Sequence, residues 1–222
     1  MLSWAWLNKR TGMSLSDESL QEAVIGLPSV PGIMIGQRLI APGDEDALLP
    51  EERPAFAQSV VKVRRASGAA RTVARELLSP LGYPACPLPK ESSGPPVWPP
   101  GIVGSLSHDA RFALAAVALR RDFGGVGIDV EPAEPLPPDL LAIVATPRER
   151  QSLDADPYGG RLLFVAKEAV YKAVFPLDRT FLEHHDVEVD IAGQTARIRN
   201  GRVVELRFSS ASRLVAVAFI RS

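Results

Sequence analysis

The stretch GVGIDVE, residues 125–131, places two carboxylates two positions apart inside an apolar run. Strand side chains alternate between faces, so Asp129 and Glu131 share one face. Like charges on a buried face repel and lose hydration, a cost that a bound cation would offset. Further on, LLFVAKEAVYKAVFP carries Glu168 and Lys172 four positions apart, hence neighbours on one helix face. Such a pair alone reads as a surface ion pair, but this segment has little polar surface. If Glu168 reaches Asp129 and Glu131, three hard oxygen donors converge, a set suited to Mg²⁺ with waters and phosphate oxygens completing its shell. A lysine one turn away suits a phosphate or a leaving group.

Other polar groups are less specific. GSLSHD, residues 104–109, precedes an apolar run. A helix starting near Ser107 would turn free N–H groups and the Ser107 hydroxyl towards an anion, with His108 as a further donor. A plain serine cap with a surface histidine is the simpler reading of that hexapeptide. Arg64, Arg71 and Arg75 fall on one helix face by offsets of seven and four, as a solvated face would also show. Lys90 lies in a proline-rich loop, and His184 and His185 in a turn.

These residues need elements to hold them. GIMIGQRLI reads as a strand, followed by the acidic turn-rich APGDEDALLPEE. A helical pattern runs from AFAQ to SPLG, where Pro80 and Gly82 end it. Residues 84–104 are too rich in proline for regular structure. SLSHDARFALAAVALRR fits either a helix capped by Ser107 or a strand pair turning at HDAR, and periodicity leaves both open. After the GVGIDVE strand, PPDLLAIV passes into a helix, and TPRERQSL starts another with Thr146 as N-cap and Pro147 at its first position. GGRLLFVAKEAVYKAVFP is the clearest helix and is expected to end before Pro176. The tail, split by AGQ, RNG and SSAS, predicts an antiparallel meander. SLSDESLQEAVIGLP, near the N-terminus, reads as a short capped helix. Each half, 1–121 and 122–222, thus has one major helix and several strands.

The chain has 222 residues, 46% of them hydrophobic and 23% charged, which excludes a disordered chain. A net charge of −1 gives no general attraction to nucleic acid. One cysteine, Cys86, allows neither an internal disulfide nor a multi-cysteine metal site. No apolar run is long enough for a membrane span, and the N-terminus lacks the order of a signal peptide. The expectation is a reduced, cytoplasmic protein.

GVGIDVEP followed by LLFVAKEAVYKAVFP resembles the paired GIDxE and KExxxK signature of 4′-phosphopantetheinyl transferases. PPVWPPGIVGSLSH and RRASGAARTVAREL resemble two upstream segments of that superfamily's siderophore-synthetase type. The resemblance spans about residues 60 to 180. It implies transfer of the phosphopantetheine arm of coenzyme A to a serine of an apo acyl or peptidyl carrier protein, releasing adenosine 3′,5′-bisphosphate. It implies Mg²⁺ on Asp129, Glu131 and Glu168, with Glu168 taking the serine proton and Lys172 stabilising phosphate charge. Lys167, Lys90, Ser107 and His108 would bind coenzyme A phosphates, and Arg71 with Arg64 or Arg65 its 3′-phosphate. The implied fold is α+β, a pseudo-twofold pair of similar halves with the active site in the cleft between them. A monomer serving peptide-synthetase, polyketide or siderophore synthesis is implied too. Two positions depart from the pattern: SGAAR stands where a Gly-Arg pair is common, and Asp109 where Cys or Ser often follows GSLSH.

Overall fold

The computed structural model describes residues 29–91, 94–153 and 156–222, so the helix expected near the N-terminus lies outside the described residues. The molecule is α+β, built in four layers from two sheets back to back with one long helix on each outer face.

The first sheet has strand order β1–β3–β2, where β1 is Ile33–Leu39, β2 Ile102–His108 and β3 Phe112–Leu119. Helix α1, Val61–Leu78, joins β1 to β2 and buries Val73, Ala74 and Leu78 against Ala115 and Val117. It starts later than the pattern suggested, because Arg53–Phe56 forms a separate 3-10 turn and Val60 is extended. SLSHDARFALAAVALRR is the strand pair, not the helix: β2 and β3 pair antiparallel from Ile102↔Leu119 to His108↔Ala113. The alternation of β3 explains the choice. Phe112, Leu114, Ala116 and Ala118 face the other sheet, while Ala115 and Val117 face α1. Regular structure resumes at Ile102, inside the stretch read as loop.

The second sheet has order β4–β8–β7–β6–β5, all antiparallel. Strand β4 is Phe123–Pro132, and the predicted terminal meander supplies β5 Val187–Asp190, β6 Thr195–Ile198, β7 Val203–Ser210 and β8 Arg213–Arg221. Between β4 and β5 lie α2, Pro138–Val144, α3, Pro147–Ser152, and α4, Gly159–Asp178. Thr146 caps α3 through a reciprocal pair of bonds with Glu149, as its sequence predicts. Helix α4 continues through Pro176, contrary to the expected stop, because a proline in the last turn forfeits only one helical bond. Arg179, left-handed at φ 58°, ends it.

Strand–helix–hairpin recurs in the two sheets: β1–α1–β2–β3 and β4–α4–β7–β8 each place the first strand beside the last. Val126, Ile128 and Val130 of β4, with Val215, Val217 and Phe219 of β8, close on Phe112 and Leu114 between the sheets.

Candidate active site

The other face of β4 carries Gly125, Gly127, Asp129 and Glu131, and α4 lies directly on it. A Cβ on Gly127 would stand 1.9 Å from the Ala169 carbonyl oxygen, and one on Gly125 2.2 Å from that of Ala173. The glycines therefore let helix backbone touch strand backbone. That contact brings Glu168 and Lys172, which flank Ala169 by one and three positions, beside Asp129.

Asp129 is 6% exposed. Its Oδ1 accepts from Lys172 Nζ at 2.6 Å and from Ser107 Oγ at 2.8 Å. Lys172 Nζ also lies 3.3 Å from Ser107 Oγ and from the Ile128 carbonyl. Ser107 meets Asp129 from strand β2, so the expected anion site at a helix N-terminus does not exist there. Glu131 Oε2 accepts from Arg161 Nη1 at 3.1 Å. Burial, then the charge of Asp129, raises the pKa of Glu168, and the same two causes raise that of Glu131. The negative charge of Asp129 thus bears on both glutamates.

Among the described residues, no three acidic, histidine or cysteine side chains are gathered closely enough to ligate one ion. Asp129 is instead turned to Lys172 and Glu131 to Arg161. Three carboxylates against these two cations leave one negative charge unbalanced, and all donors are hard oxygens. That chemistry fits a small divalent cation.

Glu168 and Lys172 open into a cavity of about 250 Å³, walled by Pro95, Pro96, Leu106, Tyr171 and Phe175. His108, at the exposed end of β2, is near enough for its imidazole to feel Lys172, Asp129 and Asp109. Desolvation lowers its pKa, and Lys172 lowers it further.

Three residues implied by resemblance are placed elsewhere. Lys167 is 2% exposed, and its ammonium donates to Glu149 Oε2 at 2.7 Å and to the Val144 and His184 carbonyls at 2.8 Å. All three of its protons are used on the far side of α4, so it is a buried structural cation. Arg71 is likewise buried, donating to the Leu88 and Ser67 carbonyls and lying over the Phe56 ring at 4.8 Å. Arg64 lines a separate cavity of about 560 Å³ with Phe56 and Pro54. Arg65 pairs through two bonds with Glu45, whereas Arg64, among the described residues, donates only to the Ser59 carbonyl, at 2.6 Å, and has no carboxylate partner. Lys90 is exposed, held by a backbone bridge to Pro96 beside the smaller cavity.

Sequence reasoning missed Arg161 and Glu52. Arg161 precedes Glu168 by seven positions, two turns along the same face, a signal that was there to be read. Glu52, 0% exposed, accepts from Arg75, from the Leu49 and Leu88 N–H groups, and lies 3.8 Å from Arg71. Its place in an acidic loop gave no sign of this. The basic stripe on α1 is thus largely a buried ion-pair network, not a solvated face.

An α+β pair of sheets with an acidic strand set against a Lys-Glu helix defines a class, and comparison with known proteins agrees. Residues 51–118 match the model of the 4′-phosphopantetheinyl transferase N-terminal domain, and residues 125–218 that of the 4′-phosphopantetheinyl transferase superfamily. The chain belongs to this superfamily. It is 42% identical over 157 residues to the 4′-phosphopantetheinyl transferase PptT of Mycobacterium tuberculosis, a match covering 67% of this chain and 69% of the relative. Identity to the 4′-phosphopantetheinyl transferase Svp of Streptomyces mobaraensis is 41% over 158 residues, 68% of this chain and 64% of the relative. Enterobactin synthase component D of Salmonella typhimurium is 39% identical over 84 residues, covering 35% and 34%.

Proposed function

We propose that the protein transfers the 4′-phosphopantetheine arm of coenzyme A to a serine hydroxyl of an apo acyl or peptidyl carrier protein, a holo-carrier synthase activity. The observation that carries this reading is that Glu168 and Lys172 face one cavity while Asp129 and Glu131 flank them. The serine oxygen attacks the phosphorus that bears the pantetheine arm. A new P–O bond forms as the bond to the adenosine-bearing phosphate breaks, and adenosine 3′,5′-bisphosphate departs with the electron pair. Glu168, its pKa raised by burial, takes the serine proton. Lys172 neutralises charge on the phosphates. Asp129, Glu131 and Glu168 would hold Mg²⁺, which supplies charge neutralisation on the pyrophosphate when bound. His108, Ser107 and Lys90 would contact the coenzyme A phosphates. The 1–121 and 122–222 halves would bind coenzyme A between them in a cytoplasmic monomer. Relatives include an enterobactin synthase component, which supports service in siderophore or other peptide-synthetase and polyketide pathways.

The test is mass spectrometry of an apo carrier protein incubated with the protein, coenzyme A and Mg²⁺. A gain of one phosphopantetheine per carrier, abolished by EDTA, is the expected result. Coenzyme A turnover without any gain would instead mean a phosphohydrolase, and binding without turnover a non-catalytic protein.

A further inference from the structure

Asp109 follows His108 directly, and an acid so close to a proposed phosphate site calls for an account. Its carboxylate does not face the cleft. Oδ1 accepts from the N–H groups of Arg111 and Phe112 at 2.6 and 2.7 Å, and the Asp109 N–H donates to the Phe112 carbonyl at 3.0 Å. This closes the tight turn between β2 and β3 that follows His108. Oδ2 pairs with Arg213 Nε, the two side chains being 4% and 15% exposed. Arg213 also lies over the Phe112 ring at 5.1 Å. It opens β8 in register with Pro132, next to Glu131. One carboxylate therefore shapes the turn that presents His108 and fastens it to the second sheet at the end holding Glu131. Neither sheet's hydrogen bonds make that connection, since β2 and β8 belong to different sheets.

We propose that Asp109, acting through Arg213, is a positioning residue that fixes His108 over the coenzyme A cleft. The inference rests on the transferase reading above. A pair whose carboxylate is almost wholly covered holds geometry better than an exposed one, because water competes less for its partners.

The experiment is a double-mutant cycle in the full chain, reading the KM for coenzyme A, kcat, coenzyme A affinity by calorimetry and the melting temperature. Asp109→Asn retains an acceptor for the turn and removes the charge facing Arg213. It is expected to raise KM for coenzyme A about fivefold to tenfold, with kcat within about twofold of the parent. In a His108→Ala background the same change is expected to add less than about twofold, because its effect runs through His108. Arg213→Gln is expected to reproduce this pattern, and Arg213→Lys to recover part of the loss. These two variants carry the test should Asp109→Asn fail to fold. Unchanged KM in Asp109→Asn and Arg213→Gln, or full additivity with His108→Ala, overturns the proposal. If the parent protein does not bind coenzyme A at all, the functional reading falls and the inference with it.

Discussion

Glu168 and Lys167 are adjacent in sequence yet do opposite work, and single substitutions separate them. Glu168 faces the cavity; burial and then Asp129 disfavour its ionised form in the folded state relative to the unfolded one. A carboxyl whose folded pKa is raised opposes folding while ionised, and the cost disappears as pH falls through that raised value. Glu168→Gln is therefore expected to melt a few degrees higher than the parent at neutral pH in EDTA, while turnover falls roughly 10²- to 10⁴-fold. Near-normal turnover would remove Glu168 from the role of base, and an unchanged or lower melting point would remove the strain. With Glu168 as the proposed base, the acid limb of the kcat profile is expected above the ordinary glutamate range, and a limb at ordinary values would count against that role. Lys167, by contrast, fills a buried pocket with Glu149, whose other oxygen accepts from the Val189 N–H. Lys167→Met leaves that carboxylate without its cation and is expected to cost about 3–5 kcal/mol in denaturant unfolding. Lys172→Met is expected to remove most activity and, because it leaves the buried Asp129 carboxylate without its cation, to lower stability too, though less than Lys167→Met since Lys172 itself is partly exposed. Loss of coenzyme A affinity in Lys167→Met without loss of stability would restore Lys167 to the ligand site.

The pairing of β4 with α4 is the element on which the site depends. Ala in place of Gly127 must move either the helix or the strand, because a carbonyl oxygen occupies the Cβ position. Gly127→Ala is expected to destabilise the fold by about 3 kcal/mol and to abolish transfer even in molecules that remain folded. A variant with full activity and an unchanged melting curve would show that the contact does not set the site. These elements were legible where the relevant spacing is short. Two positions along a strand put Asp129 with Glu131, and four along a helix put Glu168 with Lys172, so the candidate set could be read before any fold was known. Long-range pairing was not legible. Lys167 turns to Glu149, Arg71 to Leu88 and Asp109 to Arg213 because of how distant segments pack, and no local period encodes that. The alanine-rich FALAAVAL is ambiguous for another reason: small apolar residues suit a helix and a doubly buried strand alike, and burial on both faces decided it.

Across the whole molecule, strand–helix–hairpin occurs in both sheets, and besides the core each forms with its own helix the two sheets share an apolar layer. Phe112, Leu114 and Ala116 of β3 face Val126 and Ile128 of β4 and Val217 and Phe219 of β8, and Phe123 meets Phe219 edge-on at 5.9 Å. Separating the sheets would expose that layer on both sides and would also part Ser107 from Asp129 and Asp109 from Arg213. The site lies across the same seam, so binding geometry and folding are coupled. The expected outcome in calorimetry is one cooperative transition with van't Hoff and calorimetric enthalpies that agree, and a higher midpoint with coenzyme A and Mg²⁺ present. Residues 122–222 expressed alone should fail to give a cooperative transition, since Val126, Ile128, Val130, Val215 and Val217 would face water together. Two separate transitions in the full chain, or a cooperatively folded 122–222 fragment, would mean that each half is stable alone and that the shared layer is an interface between independent domains.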